Sequence, residues 1–331
     1  MRILLHILFL LVLIIPAQAN DSAAEIAVGG LTLVPSDAVS LDSEDLYISK
    51  EEVRVDYRFT NTTNKDVETL VAFPLPDQTG DESGDTVISD LKADLDFRTL
   101  VDGVAVSYDV VEQAFAKEKD ITNRLKALGM ALNTSGDWDG FNAKVRGLNE
   151  ADRKALLDDG AISSYASDGD SFFQPIWTLR TSVTRKQVFP AGKSVVVQHR
   201  YRPLAGGSVG GTLNPEHRKE DWVKEHSARF CIEDDWFRSF DKQMNSRKTE
   251  ELPAPYTEVW LGYVLKSGAN WKGPIKDFRL VVDKGKPENL VSFCAEGVQK
   301  IAPTQFEVRK TNFEPKDDLA ILIVEWYGAE E

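Results

Sequence analysis

The sequence predicts a mainly β protein of two antiparallel β-sandwich domains, the first carrying an α-helical insertion. Three observations predict it. Apolar and polar residues alternate on both sides of the middle of the chain, the period-2 pattern of strands with one dry and one wet face. Between about 110 and 170 the apolar spacing becomes helical. Residues 206–255 open on a Gly-rich stretch and stay polar, charged and partly helical around residues 236–244, which suits a connector. The 331 residues, 42% of them hydrophobic, suffice for two cores. The expected division is a signal over 1–19, a sandwich over 20–205, the connector over 206–255 and a second β domain over 256–331.

Met1-Arg2, an apolar run over 3–15 broken only by His6, and Pro16-Ala17-Gln18-Ala19 form the three regions of a secretory signal, with cleavage between Ala19 and Asn20. The run is too short to cross a bilayer as a stable helix, so the mature chain is expected in the periplasm or secreted and not embedded in a membrane. No cysteine follows the cleavage site to carry a lipid.

Short strands over 25–34 and 45–49 flank Pro35-Ser36-Asp37. Val53, Val55, Tyr57 and Phe59 then alternate with Arg54, Asp56, Arg58 and Thr60, while Val67, Val71, Phe73 and Leu75 share a parity, which together reads as one long hairpin turning over 61–66. Pro74 and Pro76 should mark its exit from the sheet. Beyond the acidic loop 77–85, Asp102-Gly103 is a strong hairpin signal because both residues tolerate the positive φ of a type I′ turn. In the insertion, Ile121, Leu125 and Leu128 follow Asp120 as cap and precede Gly129 as stop. Phe141, Val145 and Leu148 form a second stripe, and Asn149 caps a third helix ending before Gly160. Strands resume at Trp177, turn at Pro190-Ala191-Gly192-Lys193 and continue through Val195, Val197, His199 and Tyr201. The C-terminal part reads as strands around 259–265, 278–282, 290–294, 306–308 and 319–324.

A net charge of −14 argues against nucleic acid and anionic membrane surfaces as partners, since both demand a basic face. Cys231 and Cys294 are the only cysteines, lack C-x-x-C spacing and are expected to form a structural disulfide in an oxidising compartment.

No motif assembles a catalytic, metal or cofactor set. Gly206-Gly207-Ser208-Val209-Gly210 matches G-x-S-x-G in form, but Gly211-Thr212-Leu213-Asn214-Pro215 follows instead of the required helix. His199, His217 and His226 show no metal spacing; His199 reads as a core or sheet-edge histidine, and a zinc site at His217 and His226 competes with a solvated helix. Ser135, Asp137, Asp139 and Gly140 imitate a calcium loop that fails at Arg146, where a bidentate Glu is needed. Trp271, in a loop between strands, is either a contact for a glycan or protein partner or a cap on its own sandwich.

The order VDYRFTNTTNKDVETLVAFPLP, DITNRLKALGM, VFPAGKSVVVQHRYRP and GANWKGPIKDF resembles bacterial exported proteins of domain-of-unknown-function family 4424 over nearly the whole mature chain. The resemblance implies export and no activity or cofactor. The first pair of strands is also similar to the opening of VIT domains, with Phe59, Asn61, Glu68 and Phe73 to Pro76 in the matching places but no DxSxS segment after them. The expectation is an exported, non-catalytic binding or interaction protein whose partner is an unknown envelope protein or glycan. The alternative is a secreted hydrolase with a site assembled from residues distant in sequence.

Overall fold

The computed structural model describes residues 21–27, 30–79, 94–134, 137–167 and 170–327. The expected cleavage point at Ala19 and Asn20, and most of the acidic loop, lie outside them. The fold is mainly β; the helices of the insertion span 122–158, narrower than the expected 110–170, because Asp109–Ala116 and Ile162–Ser167 at its two ends are strands.

Its centre is an eight-stranded sheet in the order Gln299–Lys300, Gln305–Phe313, Ile275–Asp283, Val39–Ile48, Val53–Asn61, Ser194–Tyr201, Arg98–Val101, Val104–Ala105. Val53, Val55, Tyr57 and Phe59 point inward and are at most 1% exposed, as their alternation predicts. Facing this sheet are two smaller ones. One includes Ser22–Ala27, Val67–Pro74 and Thr178–Phe189; the other joins Ala205–Ser208, Tyr256–Tyr263, Leu319–Trp326 and Leu290–Phe293. A single apolar cluster draws on all three sheets, from Ala23 and Phe73 to Leu261 and Ile323.

Two expectations change here. Val53–Asn61 and Val67–Pro74 are both strands, but they do not pair as a hairpin. The first lies between Val39–Ile48 and Ser194–Tyr201, and the second pairs with Ser22–Ala27 and Thr178–Phe189 in the facing sheet. The chain crosses between sheets at Asn61, which is fully buried. Its Nδ2 donates to Lys65 O and Phe189 O, both at 2.8 Å, and its Oδ1 accepts from Thr63 N. A buried amide with these bonds satisfied fixes the corner, because leaving them unmade would cost about 1–3 kcal/mol.

The second change concerns the C-terminal strands. Ile275–Asp283 lies parallel to Val39–Ile48 and antiparallel to Gln305–Phe313. Strands from both sides of 206–255 therefore share the central sheet and its core. Alternation predicts that a segment is a strand and which face is dry, but not the partner it finds.

In the insertion, helices Thr122–Ala127, Trp138–Gly147 and Glu150–Asp158 bury Leu125, Phe141, Val145 and Leu156 with Trp177. Asp120 Oδ1 accepts from Thr122 N, and Asn149 Oδ1 from Asp152 N. Asp137, one of the residues that imitate a calcium loop, caps the middle helix through Gly140 N. In the connector, helices Asp221–Arg229 and Asp234–Arg247 lie on the outer face of the four-stranded sheet. Phe230, Phe240 and Met244 pack there against Tyr256, Leu322 and Val324. The Cys231–Cys294 disulfide ties the turn between these helices to the end of Leu290–Phe293.

Candidate functional site

Pairing of Ser22 with Ala72 sets Asp21 at the head of its strand, between the facing sheets. Arg185 enters from Thr178–Phe189, and His199 stands opposite Thr99 on neighbouring strands of the central sheet. Asp21 Oδ2 lies 3.0 Å from Arg185 Nη2 and 3.2 Å from His199 Nε2, while His199 Nδ1 is 2.9 Å from Thr99 Oγ1. Burial alone would push the Asp21 carboxyl up, but Arg185 and His199 outweigh it and hold it at about 2. Burial lowers the His199 pKa more than Asp21 raises it, so the imidazole is neutral at pH 7. Its Nε2–H then donates to Asp21, and the Thr99 hydroxyl donates to Nδ1.

Carboxylate, imidazole and hydroxyl in line is the order of a nucleophile relay. These groups are sealed: Asp21 and His199 are 0% exposed, Thr99 3% and Arg185 6%. A second buried chain runs from Tyr57 Oη through Tyr263 Oη, 2.8 Å away, to Glu44 Oε1 at 3.3 Å. Burial raises both phenols well above their usual range, so they remain protonated.

Outside the core, the structure brings together residues that spacing alone could not. His226 Nε2 lies 2.8 Å from Glu258 Oε2, and Trp260 Nε1 donates to the same oxygen at 3.1 Å. Ser208 stands opposite Glu258 on the adjoining strand. Its Oγ is turned into its own loop, accepting from Gly210 N at 3.3 Å and lying 3.5 Å from Thr212 Oγ1. The Gly-rich stretch is here partly an edge strand, and Gly207 permits its approach: a Cβ there would fall 2.4 Å from Glu258 O. Ser208→Ala is expected to leave the urea midpoint unchanged within about 0.5 kcal/mol, as for a surface substitution. His217 and His226, weighed as a zinc pair, go to different partners: His217 packs near Trp222 and His226 pairs with Glu258. Among the described residues no three His, Cys, Asp or Glu side chains gather for a metal ion.

An open groove of about 420 Å³ runs beside the disulfide, lined by Arg218, Lys224, Cys231, Ile232, Glu233 and Phe237 among others. Arg218 pairs with Asp241, and its guanidinium lies 4.2 Å above the Phe237 ring, which fixes a cation on an aromatic wall. Both cysteines are exposed. Neither the groove nor the Asp21 cluster carries a motif, since each is assembled from separate elements.

Trp271 caps its own sandwich, the second of its two readings, and the surface contact is corrected. It is 3% exposed, packs on Phe59 at 4.7 Å and Phe189 at 5.9 Å between ring centroids, and donates through Nε1 to Asp21 O. It is a core residue and offers no surface to a glycan or protein. The 3-10 turn Lys266–Asn270 folds it inward, where its large apolar area is best satisfied. Trp271→Phe keeps the ring and loses the donor; it should cost about 1–3 kcal/mol in urea unfolding.

The profile of the family described as a domain of unknown function, DUF4424, matches residues 19–322. No curated protein matches the chain. Among solved structures, a candidate nutrient-binding protein from Legionella pneumophila subsp. pneumophila is 15% identical, with 88% of this chain and 68% of that one covered and a TM-score of 0.42. Among the described residues no helix is long and apolar enough to cross a membrane.

Proposed function

Because the chain belongs to the DUF4424 family, which brings no activity with it, we propose its role from geometry: an exported, non-catalytic binding or interaction protein of the bacterial periplasm. The observation that carries this reading is the sealing of the Asp21–His199–Thr99 line. A substrate cannot reach groups that are at most 3% exposed, so their arrangement acts on the fold rather than on a reaction. The groove at Arg218, Lys224 and Phe237 is the recognition face, since it joins apolar and charged surface on a disulfide-pinned pair of helices. The rival hydrolase reading draws on the His226–Glu258 pair, and predicts turnover of simple esters or amides that Ser208→Ala abolishes.

The test is in-cell photo-crosslinking from probes placed at Lys224 and Glu233 on the groove rim, and at Arg58 on the outer face of the central sheet. Binding at the groove predicts a defined adduct from the first two positions, about tenfold above the third. Equal labelling from all three would remove the groove from the account.

A further inference from the structure

We propose that the outer edge of strand Ile162–Ser167 is an interface for a second copy of this chain, which pairs there antiparallel about a two-fold axis at Ser164. This strand and Asp170–Pro175 form a two-stranded sheet separate from the three larger ones. A sheet edge presents unpaired N–H and C=O groups, and proteins keep such edges short, cover them or charge them. The central sheet ends on short strands, Gln299–Lys300 and Val104–Ala105. The outer edge of Asp170–Pro175 is covered: Asn142 Nδ2 donates to Phe173 O at 3.1 Å, its Oδ1 accepts from Phe173 N at 2.8 Å, and Arg146 Nη2 donates to Ser171 O at 2.9 Å.

The edge of Ile162–Ser167 has neither protection. Phe173 and Ser171 turn their backbone groups toward the helix, away from the paired strand. Their cross-strand neighbours Ser164 and Ala166 must therefore turn theirs outward on the other side, and Ile162 follows by alternation. Ser164 is exposed, and among the described residues nothing caps its N–H or C=O. The strand holds no charged residue and no proline, and its register runs without a bulge. In a chain that is 28% charged, with a net charge of −14, two copies meeting here oppose no like charges within the paired strands.

The edge is also complementary to itself. With Ser164 opposite Ser164 of the second copy, Ile162 lies opposite Ala166, and these outward residues exchange their hydrogen bonds in pairs across a self-matching interface. The same register sets Tyr165 opposite the second copy's Ser163, a large side chain against a small one. Tyr165 is 55% exposed and stacks at 5.7 Å on Phe172, which lies under the Arg146 guanidinium at 5.3 Å. The axis brings the two Tyr165 residues to diagonal positions, within reach for aromatic rings, so the row of Arg146, Phe172 and Tyr165 continues into its own image. Two strands of six residues bury less than a standard interface, so the dimer is weak and forms as concentration rises.

The experiment is sedimentation velocity of the purified protein from micromolar to near-millimolar concentration. Ser164→Pro removes the outward N–H and leaves the ladder with Asp170–Pro175 intact, because proline is tolerated where the N–H faces solvent. It should weaken dimerisation at least about tenfold while the urea midpoint stays in place. Ser164→Lys and Ser164→Glu keep the backbone and set like charges face to face on the axis. Each alone should be monomeric, and an equal mixture of the two should recover the dimer, a result that no other occupant of the edge would give. A wild type that stays monomeric throughout, a Ser164→Pro protein that dimerises like wild type, or a mixture no more dimeric than its components would each overturn the interface. A monomeric wild type that loses a crosslinked neighbour of different sequence on Ser164→Pro would give the edge to another protein and overturn the assignment to a second copy.

Discussion

Asp21→Ala is expected to lower folding stability by about 3–5 kcal/mol, the penalty of leaving Arg185 buried without its carboxylate. Most of that effect belongs to the stranded charge rather than to the net worth of the pair. Replacing Asp21, Arg185 and His199 together by apolar side chains of similar volume should therefore recover much of the loss. The same cluster sets the response to acid. His199 has a folded pKa below its ordinary 6.5, so the unfolded chain takes up its proton first and stability begins to fall as pH drops through 6.5. Asp21, moved from 3.8 to about 2, contributes about 2 kcal/mol that is present above pH 3.8 and is lost as pH falls through about 2. Both changes run in the same direction. Urea midpoints should decline from pH 7 to 5 in both the wild type and Asp21→Ala, because Asp21 raises the His199 pKa and its removal leaves that limb in place, whereas the further loss between about pH 4 and 2 should be confined to the wild type. An acid limb unchanged by the substitution would show that other groups control it.

Removing the disulfide ranks beside this. Cys231→Ser with Cys294→Ser opens a loop closed across a sequence separation of 63 residues, worth about 4 kcal/mol in the chain-entropy model. The local consequence falls on the groove, because the bridge holds the turn between the two connector helices to the edge strand. What remains is Ser292 Oγ on Phe230 O at 2.8 Å, Trp236 Nε1 on Val291 O at 2.9 Å and Gln243 Nε2 on Glu288 O at 2.9 Å. Thermal unfolding with and without reductant measures the global term. Loss of the crosslink from Glu233 in the double variant measures the local one. A midpoint unmoved by reduction would contradict a stabilising bridge.

What was legible in the sequence was local. Asp102 and Gly103 take φ of 48° and 80°, the conformation their turn signal implies. Asn149 does the capping its position predicts, while Asp120 lies one residue outside the cap, which is Ile121, and accepts from Thr122 N. The two cysteines pair. What was not legible was long-range. The pattern over 53–76 identifies two strands and their dry faces, but the corner at Asn61 rests on bonds to Lys65 and to Phe189, far along the chain. Asp21 lies two residues beyond the end of the predicted signal and shows no periodicity; only folding brings it to Arg185 and His199, 164 and 178 residues away. Trp271 drew attention as a loop aromatic, yet the partners that bury it, Phe59 and Phe189, come from separate strands. Glu258 was one acidic residue among 53 Asp and Glu, and nothing in its neighbours foretells His226.

The central claim, that the relay-like line is sealed within the core, is tested most directly by histidine modification of the folded mature protein with diethyl pyrocarbonate, read by peptide mass. The side chain of His217 is 45% exposed, that of His226 13% and that of His199 0%. The account predicts rapid labelling of His217, slow labelling of His226, and labelling of His199 only as the protein unfolds in urea. Modification of His199 in the folded state at a rate near that of His217 would contradict it, and would return Asp21, His199 and Thr99 to consideration as a site that substrates can reach.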